Sequence, residues 1–118
     1  MTSGMILCVE DNLEVSELIQ EVLEEEGLTV HVVANGTDAL EAMRTPPVLV
    51  LCDLDLPGMS GLELLEKARA GGLLPLSVPF IFLTAHSQRS NQLLARTLGC
   101  DEFLSKPIDF EMLVLIIR

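Results

Sequence analysis

The sequence predicts an α/β domain, a parallel sheet of five strands wound on both faces by helices. Three observations predict it. Five short apolar runs alternate strictly with five segments of helical periodicity, and right-handed crossovers leave few other ways to connect such a series. The runs are apolar at consecutive positions, as strands covered on both faces require. Finally, a chain of 118 residues with 49% apolar content can bury roughly two-thirds of its unfolded surface around one core. No linker, repeat or low-complexity stretch interrupts the pattern, so residues 1–118 are expected to form a single domain.

Met5–Val9 (MILCV) reads as the first strand. Val15, Leu18, Ile19, Val22 and Leu23 follow at i, i+3, i+4, i+7 and i+8, one apolar stripe of a helix. Gly27 ends that helix at the usual C-terminal position. Thr29–Ala34 is the second strand, and Asn35–Gly36 opens a helix carrying Ala39, Leu40, Ala42 and Met43 until Pro46–Pro47 stops it. Val48–Cys52 is the third strand and the most uniformly apolar, which places it at the centre. After the loop Asp53–Ser60, a third helix turns Leu62, Leu65 and Ala68 inward and Glu63, Glu66 and Lys67 outward, and closes at Gly71–Gly72. Pro79–Thr84 is strand four, Gln88–Leu98 helix four with Gly99 as its cap, and Glu102–Ser105 a short strand five. Asp109 caps a last helix that runs to the end of the chain.

Charge narrows the function. Seven Lys+Arg stand against 18 Asp+Glu, a net charge of −11, and neutralising a nucleic-acid backbone or an anionic membrane needs a basic face. Met5–Val9 is too brief for a signal-peptide core, and no apolar run is long enough to span a bilayer. Cys8, Cys52 and Cys100 are too widely spaced for a zinc motif, and each lies in or beside an apolar stretch. Three buried thiols in a reducing cytoplasm are the expectation.

Ligands of open parallel sheets bind beyond the carboxyl ends of the strands. Glu10 and Asp11 follow strand one, Asp53 and Asp55 strand three, Thr84 and His86 strand four, and Lys106 strand five. Carboxylates gathered there repel: two like charges ~4 Å apart at an effective dielectric of ~20 cost about 4 kcal/mol. Lys106 is one of two lysines, and one ammonium cannot neutralise three carboxylates. A divalent ion is the economical answer, and hard oxygen donors select Mg²⁺ or the similar Mn²⁺ over zinc. Such a site suits phosphoryl transfer. Asp53 can attack phosphorus to give an acyl phosphate while the metal, Lys106 and the Thr84 hydroxyl stabilise charge on the phosphoryl oxygens. Any one of these residues could instead be a helix cap or loop residue; four strand ends that all deliver phosphoryl-compatible groups are harder to dismiss.

The segments VEDN (Val9–Asn12), CDLDLPGMSG (Cys52–Gly61), LTA (Leu83–Ala85) and SKP (Ser105–Pro107) resemble the receiver domain of two-component response regulators over essentially the whole chain. Each motif is short; their order, spacing and placement after successive strands carry the match. The resemblance implies a flavodoxin-like (βα)5 fold with strand order 2-1-3-4-5 and Asp53 as phospho-acceptor. It implies that Asp11 ligates Mg²⁺ directly, Glu10 acts through a water, and the Asp55 backbone carbonyl completes the protein ligands, with Asp53 itself in the set. Lys106 would pair with the phosphoryl group, Thr84 would hydrogen-bond it after a conformational shift, and the Lys106–Pro107 peptide would be cis. The phosphoryl donor would be a histidine kinase or a phosphotransfer protein.

Where receivers couple the threonine to an aromatic switch, this chain has Phe103, a ring without a hydroxyl that either swings inward or is a fixed strand residue. Asp55 and His86 occupy positions that influence phosphoryl lifetime in the family, by orienting or polarising water. His31, mid-strand, is read as structural. Glu21 and Glu24–Glu26 form an acidic helix end that a basic kinase surface could use. The last helix, FEMLVLII, is apolar nearly all round, so the face of helix four, strand five and helix five is expected to mediate dimerisation or output contacts. Two alternatives stand beside the receiver. One is a phosphatase with an aspartyl-phosphate intermediate, because Asp53-Leu54-Asp55 is a DxD sequence; the other is a degenerate receiver that only binds protein. A receiver modifies itself and turns over no metabolite, so no enzyme is expected.

Overall fold

The computed structural model describes residues 4–85 and 89–117. In chain order the elements are β1 (Met5–Val9), α1 (Leu13–Glu25), β2 (Thr29–Val33), α2 (Gly36–Ala42) and β3 (Leu49–Asp53). They continue with α3 (Gly61–Ala70), β4 (Phe80–Thr84), α4 (Arg89–Thr97), β5 (Glu102–Ser105) and α5 (Phe110–Ile117). The strands form one parallel sheet in the order β2-β1-β3-β4-β5. This is the expected doubly wound architecture, with β3 at its centre.

Successive strand residues face opposite sides of a sheet, and here both sides are dry. Leu7, Val9, Val50, Cys52, Phe80 and Phe82 join Ala39, Met43, Leu64, Leu65, Ala68 and Ala95 in one core layer. Their neighbours Ile6, Cys8, Leu49, Leu51, Ile81 and Leu83 meet Ile19, Leu23, Leu113 and Ile117 in the other. The consecutive apolar runs are therefore explained: α2, α3 and α4 cover one face, α1 and α5 the other. All three cysteines are buried and unpaired, as expected. No helix among the described residues is long and apolar enough to cross a membrane.

Side-chain caps set where the helices begin. Asn12 accepts from Val15 N at 3.2 Å, Asn35 from Asp38 N at 2.8 Å, Ser60 from Glu63 N at 3.2 Å and Asp109 from Met112 N at 3.2 Å. Each satisfies an N–H that the first turn leaves without an intrahelical partner. All four caps follow strand ends, so they hold the loops of one edge of the sheet at short range.

Some boundaries differ from expectation. β3 runs to Asp53 and leaves out Val48, because Asp53 still pairs with Leu83 and the ladder continues through Leu54 N to Leu83 O at 2.9 Å. β2 stops at Val33, whose carbonyl accepts the last bond of that pair from Glu10 N at 3.0 Å. β4 begins at Phe80, and α4 covers Arg89–Thr97. On α3 the inward stripe includes Leu64, while Leu62 is only half-buried. Leu18 on α1 is half exposed, at the rim of a groove whose other wall is the start of α5.

Candidate functional site

Parallel pairing of β1 with β3 sets Val9 opposite Cys52, so the residues that end or follow these strands, Glu10 and Asp53, meet at the carboxyl edge of the sheet. Both are buried. Lys106, just after β5, is held there by its own backbone N–H, which donates to Thr84 O at 2.8 Å. Its ammonium donates to Glu10 Oε1 at 2.7 Å and lies 3.4 Å from Asp53 Oδ2. The other oxygens are tied to backbone: Glu10 Oε2 accepts from Asn12 N at 3.1 Å and Asp53 Oδ1 from Asp55 N at 3.0 Å. Asn12 is thus bound at both ends, capping α1 with its side chain and fixing Glu10 with its N–H.

Asp11 sits beside this pair in the open. Glu10, Asp11 and Asp53 each offer a carboxylate oxygen, and these atoms all lie within 4.8 Å of one another. Three hard anionic donors that close, with no imidazole or thiolate in the set, fit a Mg²⁺-type ion. The electrostatics show the strain of the group. Burial pushes the Glu10 carboxyl above its ordinary value and the Asp53 charge adds to the rise, against the Lys106 and Asn12 hydrogen bonds that lower it. For Lys106 burial acts the other way, yet the Glu10 hydrogen bond and the charges of Glu10 and Asp53 together lift its value. Beneath them, burial pushes the Cys8 thiol up to about 12, so it remains a neutral core residue.

The remaining predicted residues take different places. Thr84 is buried at the end of β4, one residue past the Asp53–Leu83 pair. The Asp55 side chain is exposed, and it is the Asp55 backbone N–H that reaches Asp53. The Phe103 ring is half-buried and lies 5.5 Å from that of Phe82, tilted by 43°. His86 lies outside the described residues. His31 is exposed on the edge strand β2. The Lys106–Pro107 peptide is cis.

Two features escaped the sequence. The nearest partner of Lys106 is Glu10 and not Asp53, a matter of side-chain reach that spacing does not encode. Gly61, read only as the end of a motif, packs directly against the Asp53 backbone. The signal available for it was a glycine at the first position of a helix, directly after the Ser60 cap.

Residues 6–118 match the family model described as the response regulator receiver domain. The chain is 39% identical over 114 residues to the transcriptional regulatory protein DltR of Streptococcus agalactiae, covering 96% of this chain and 50% of that protein. It is 37% identical over 114 residues to the DNA-binding response regulator MtrA of Mycobacterium tuberculosis, covering 96% and 48%. It therefore spans about half the length of the curated relatives it matches. Among solved structures it is similar to a CheY-like response regulator receiver domain protein of Methanospirillum hungatei, with a TM-score of 0.87, 29% identity, and coverage of 98% of this chain and 91% of that one. The family match begins in the first strand and reaches the last helix, over a fold that a solved relative shares, and the chain belongs to the response regulator receiver domain family.

Proposed function

We propose that this domain is a phosphorelay receiver in which Asp53 accepts a phosphoryl group from a histidine kinase or phosphotransfer protein, with Mg²⁺ at Glu10, Asp11, Asp53 and the Asp55 carbonyl. The observation that carries the reading is one ammonium shared between two buried carboxylates, with Asp11 close enough to complete a cation site. A single lysine leaves that group short of positive charge. Mg²⁺, when bound, supplies it and offsets charge on the incoming phosphoryl oxygens.

Asp53 is presented by the ladder and by the Asp55 N–H, which orients its carboxylate before any donor arrives. A carboxylate oxygen of Asp53 forms a bond to phosphorus as the bond from phosphorus to the donor nitrogen breaks. The nitrogen keeps the electron pair, and a proton carried on the other ring nitrogen or taken from water leaves the donor a neutral imidazole. Lys106 then has the phosphoryl group as a further anion within reach, and its hold on Glu10 and Asp53 is redistributed toward the phosphoryl oxygens. The acyl phosphate carries roughly −1.5 to −2 charge where the carboxylate carried about −1, beside the end of β4 where Thr84 stands, and biases the domain between two arrangements. The readout we assign to the face of α4, β5 and α5, where Leu93 and Met112 are 60% and 46% exposed. An output domain or a second copy would cover them.

The test is intact mass after treatment with a small-molecule phosphodonor and Mg²⁺. The native chain is expected to gain one phosphoryl group, and Asp53→Asn none. A gain by both, or by neither, overturns the assignment. Sustained turnover of a phosphomonoester would point to the phosphatase instead.

A further inference from the structure

Helix α3 begins closer to the phospho-acceptor than a side chain would allow. Its first residue, Gly61, is buried, and its N–H donates to Leu54 O at 3.0 Å. A methyl group on its Cα would stand 2.7 Å from Phe82 Cε1, 2.8 Å from Asp53 O and 3.0 Å from Leu54 Cα. Gly61 is not among the glycines with positive φ, so space and not conformation is what the position demands. Of the three contacts, the Phe82 ring is a core side chain that a smaller residue can replace. The other two are backbone, and they yield only if the Asp53–Leu54 segment moves.

That segment is held at every step. Leu54 N donates to Leu83 O at 2.9 Å, Leu54 O accepts from Gly61 N, and Cys52 Sγ donates to Asp53 O at 3.2 Å. Asp55 N, one residue on, donates to Asp53 Oδ1 at 3.0 Å. The seat of α3 is thus linked through Leu54 to the N–H that aims the carboxylate. Gly36 at the start of α2 makes a useful contrast, because a methyl there would meet the Met59 side chain, 2.8 Å from its sulfur.

We propose that Gly61 is a positioning residue for Asp53: its bare Cα lets α3 seat against the Asp53–Leu54 backbone and so fixes the Asp55 N–H that orients the acceptor carboxylate. The inference rests on the reading of Asp53 as the acceptor, but its geometry can be tested separately. Gly61→Ala is made in the native chain and in a Phe82→Leu background, which removes the ring contact and leaves the two backbone contacts. Leu23→Ala, which opens a cavity in α1 away from the carboxylates, serves as the control for stability alone. Two quantities are measured: the Asp55 amide resonance in metal-free ¹H–¹⁵N spectra, and the Mg²⁺ dissociation constant by calorimetry. We expect Gly61→Ala to move the Asp55 amide toward its position in Asp53→Ala, where the acceptor is gone. We expect it to weaken Mg²⁺ at least tenfold in either background, whereas Leu23→Ala stays within twofold. A folded Gly61→Ala protein with either readout unmoved overturns the proposal. So does failure to fold in both backgrounds, which would assign Gly61 to the core alone. Should the native chain bind no Mg²⁺, the receiver reading fails and the Asp55 amide alone decides the role of Gly61.

Discussion

Lys106 is the residue on which the charge balance of the site turns. The Glu10 side chain is fully buried and has one ammonium as its counter-charge, 2.7 Å away. Removing one partner of such a pair strands the other, typically at a cost of about 3–5 kcal/mol. Lys106 keeps some contact with solvent, which lets water reach the site and reduces that cost. Lys106→Met is therefore expected to destabilise the metal-free protein by about 2–4 kcal/mol at neutral pH. The pH dependence has a definite sign. Burial already holds the folded Glu10 carboxyl above its unfolded value, and loss of the Lys106 hydrogen bond raises it further. Folded protein then binds the proton more tightly than unfolded protein, so the variant regains stability as pH falls through the raised value toward about 4.5 and loses it as pH rises. Urea unfolding followed by far-UV circular dichroism at several pH values checks this, since the chain has neither Trp nor Tyr for fluorescence. A penalty that is constant from neutral to acidic pH would mean that Glu10 is not the stranded group.

Among the elements, α3, β4 and β5 are joined at the opposite edge of the sheet by Arg69. Its guanidinium donates to Pro75 O, to Gly99 O at 2.8 Å and to Asp101 Oδ2, 3.3 Å away. Asp101 in turn accepts from Phe80 N at 2.8 Å, so one carboxylate caps the start of β4 and anchors the arginine. Arg69 Nε, which faces Gly99, has no hydrogen-bond partner among the described residues. Arg69→Met keeps the apolar stem and leaves two carbonyls and one carboxylate without this donor; it should cost about 2–3 kcal/mol. Asp101→Asn should cost less, because an amide oxygen can still accept from Phe80 N. A double-mutant cycle by urea unfolding is expected to show coupling of about 1 kcal/mol or more, and additive effects would mean that the two residues act separately. None of this was legible in the sequence, because a hydrogen bond across 30 residues leaves no periodic trace. The elements themselves were legible for the opposite reason. The consecutive apolar runs of β1 and β3 follow from burial on both faces, and Asn35 and Asp109 announce helix starts by local chemistry. Leu64 was missed because Leu62, Leu64 and Leu65 all suit an inward position, and only the seat of α3 on β3 selects among them.

At the scale of the whole molecule the carboxylates act twice, once as a local cluster and once as part of a net charge of −11. The cluster was legible because topology alone brings the ends of neighbouring parallel strands together; the pairing of Lys106 with Glu10 was not, because it depends on rotamers. The two roles can be separated by salt. Diffuse repulsion is screened over a Debye length of about 10 Å at 0.1 M, so NaCl should raise the thermal midpoint of the native chain without reference to any one residue. A specific site responds to the ion itself. At ten times its dissociation constant a ligand that binds only folded protein stabilises by about 1.4 kcal/mol, which for a domain of this size is a rise of about 5 °C. MgCl₂ is therefore expected to raise the midpoint by about that amount beyond NaCl of equal ionic strength. Asp53→Asn and Asp11→Asn should each abolish the excess and keep the NaCl response. Equal midpoints in the two salts would reduce the acidic cluster to general surface charge. An excess that survives both substitutions would place the ion elsewhere on this anionic surface.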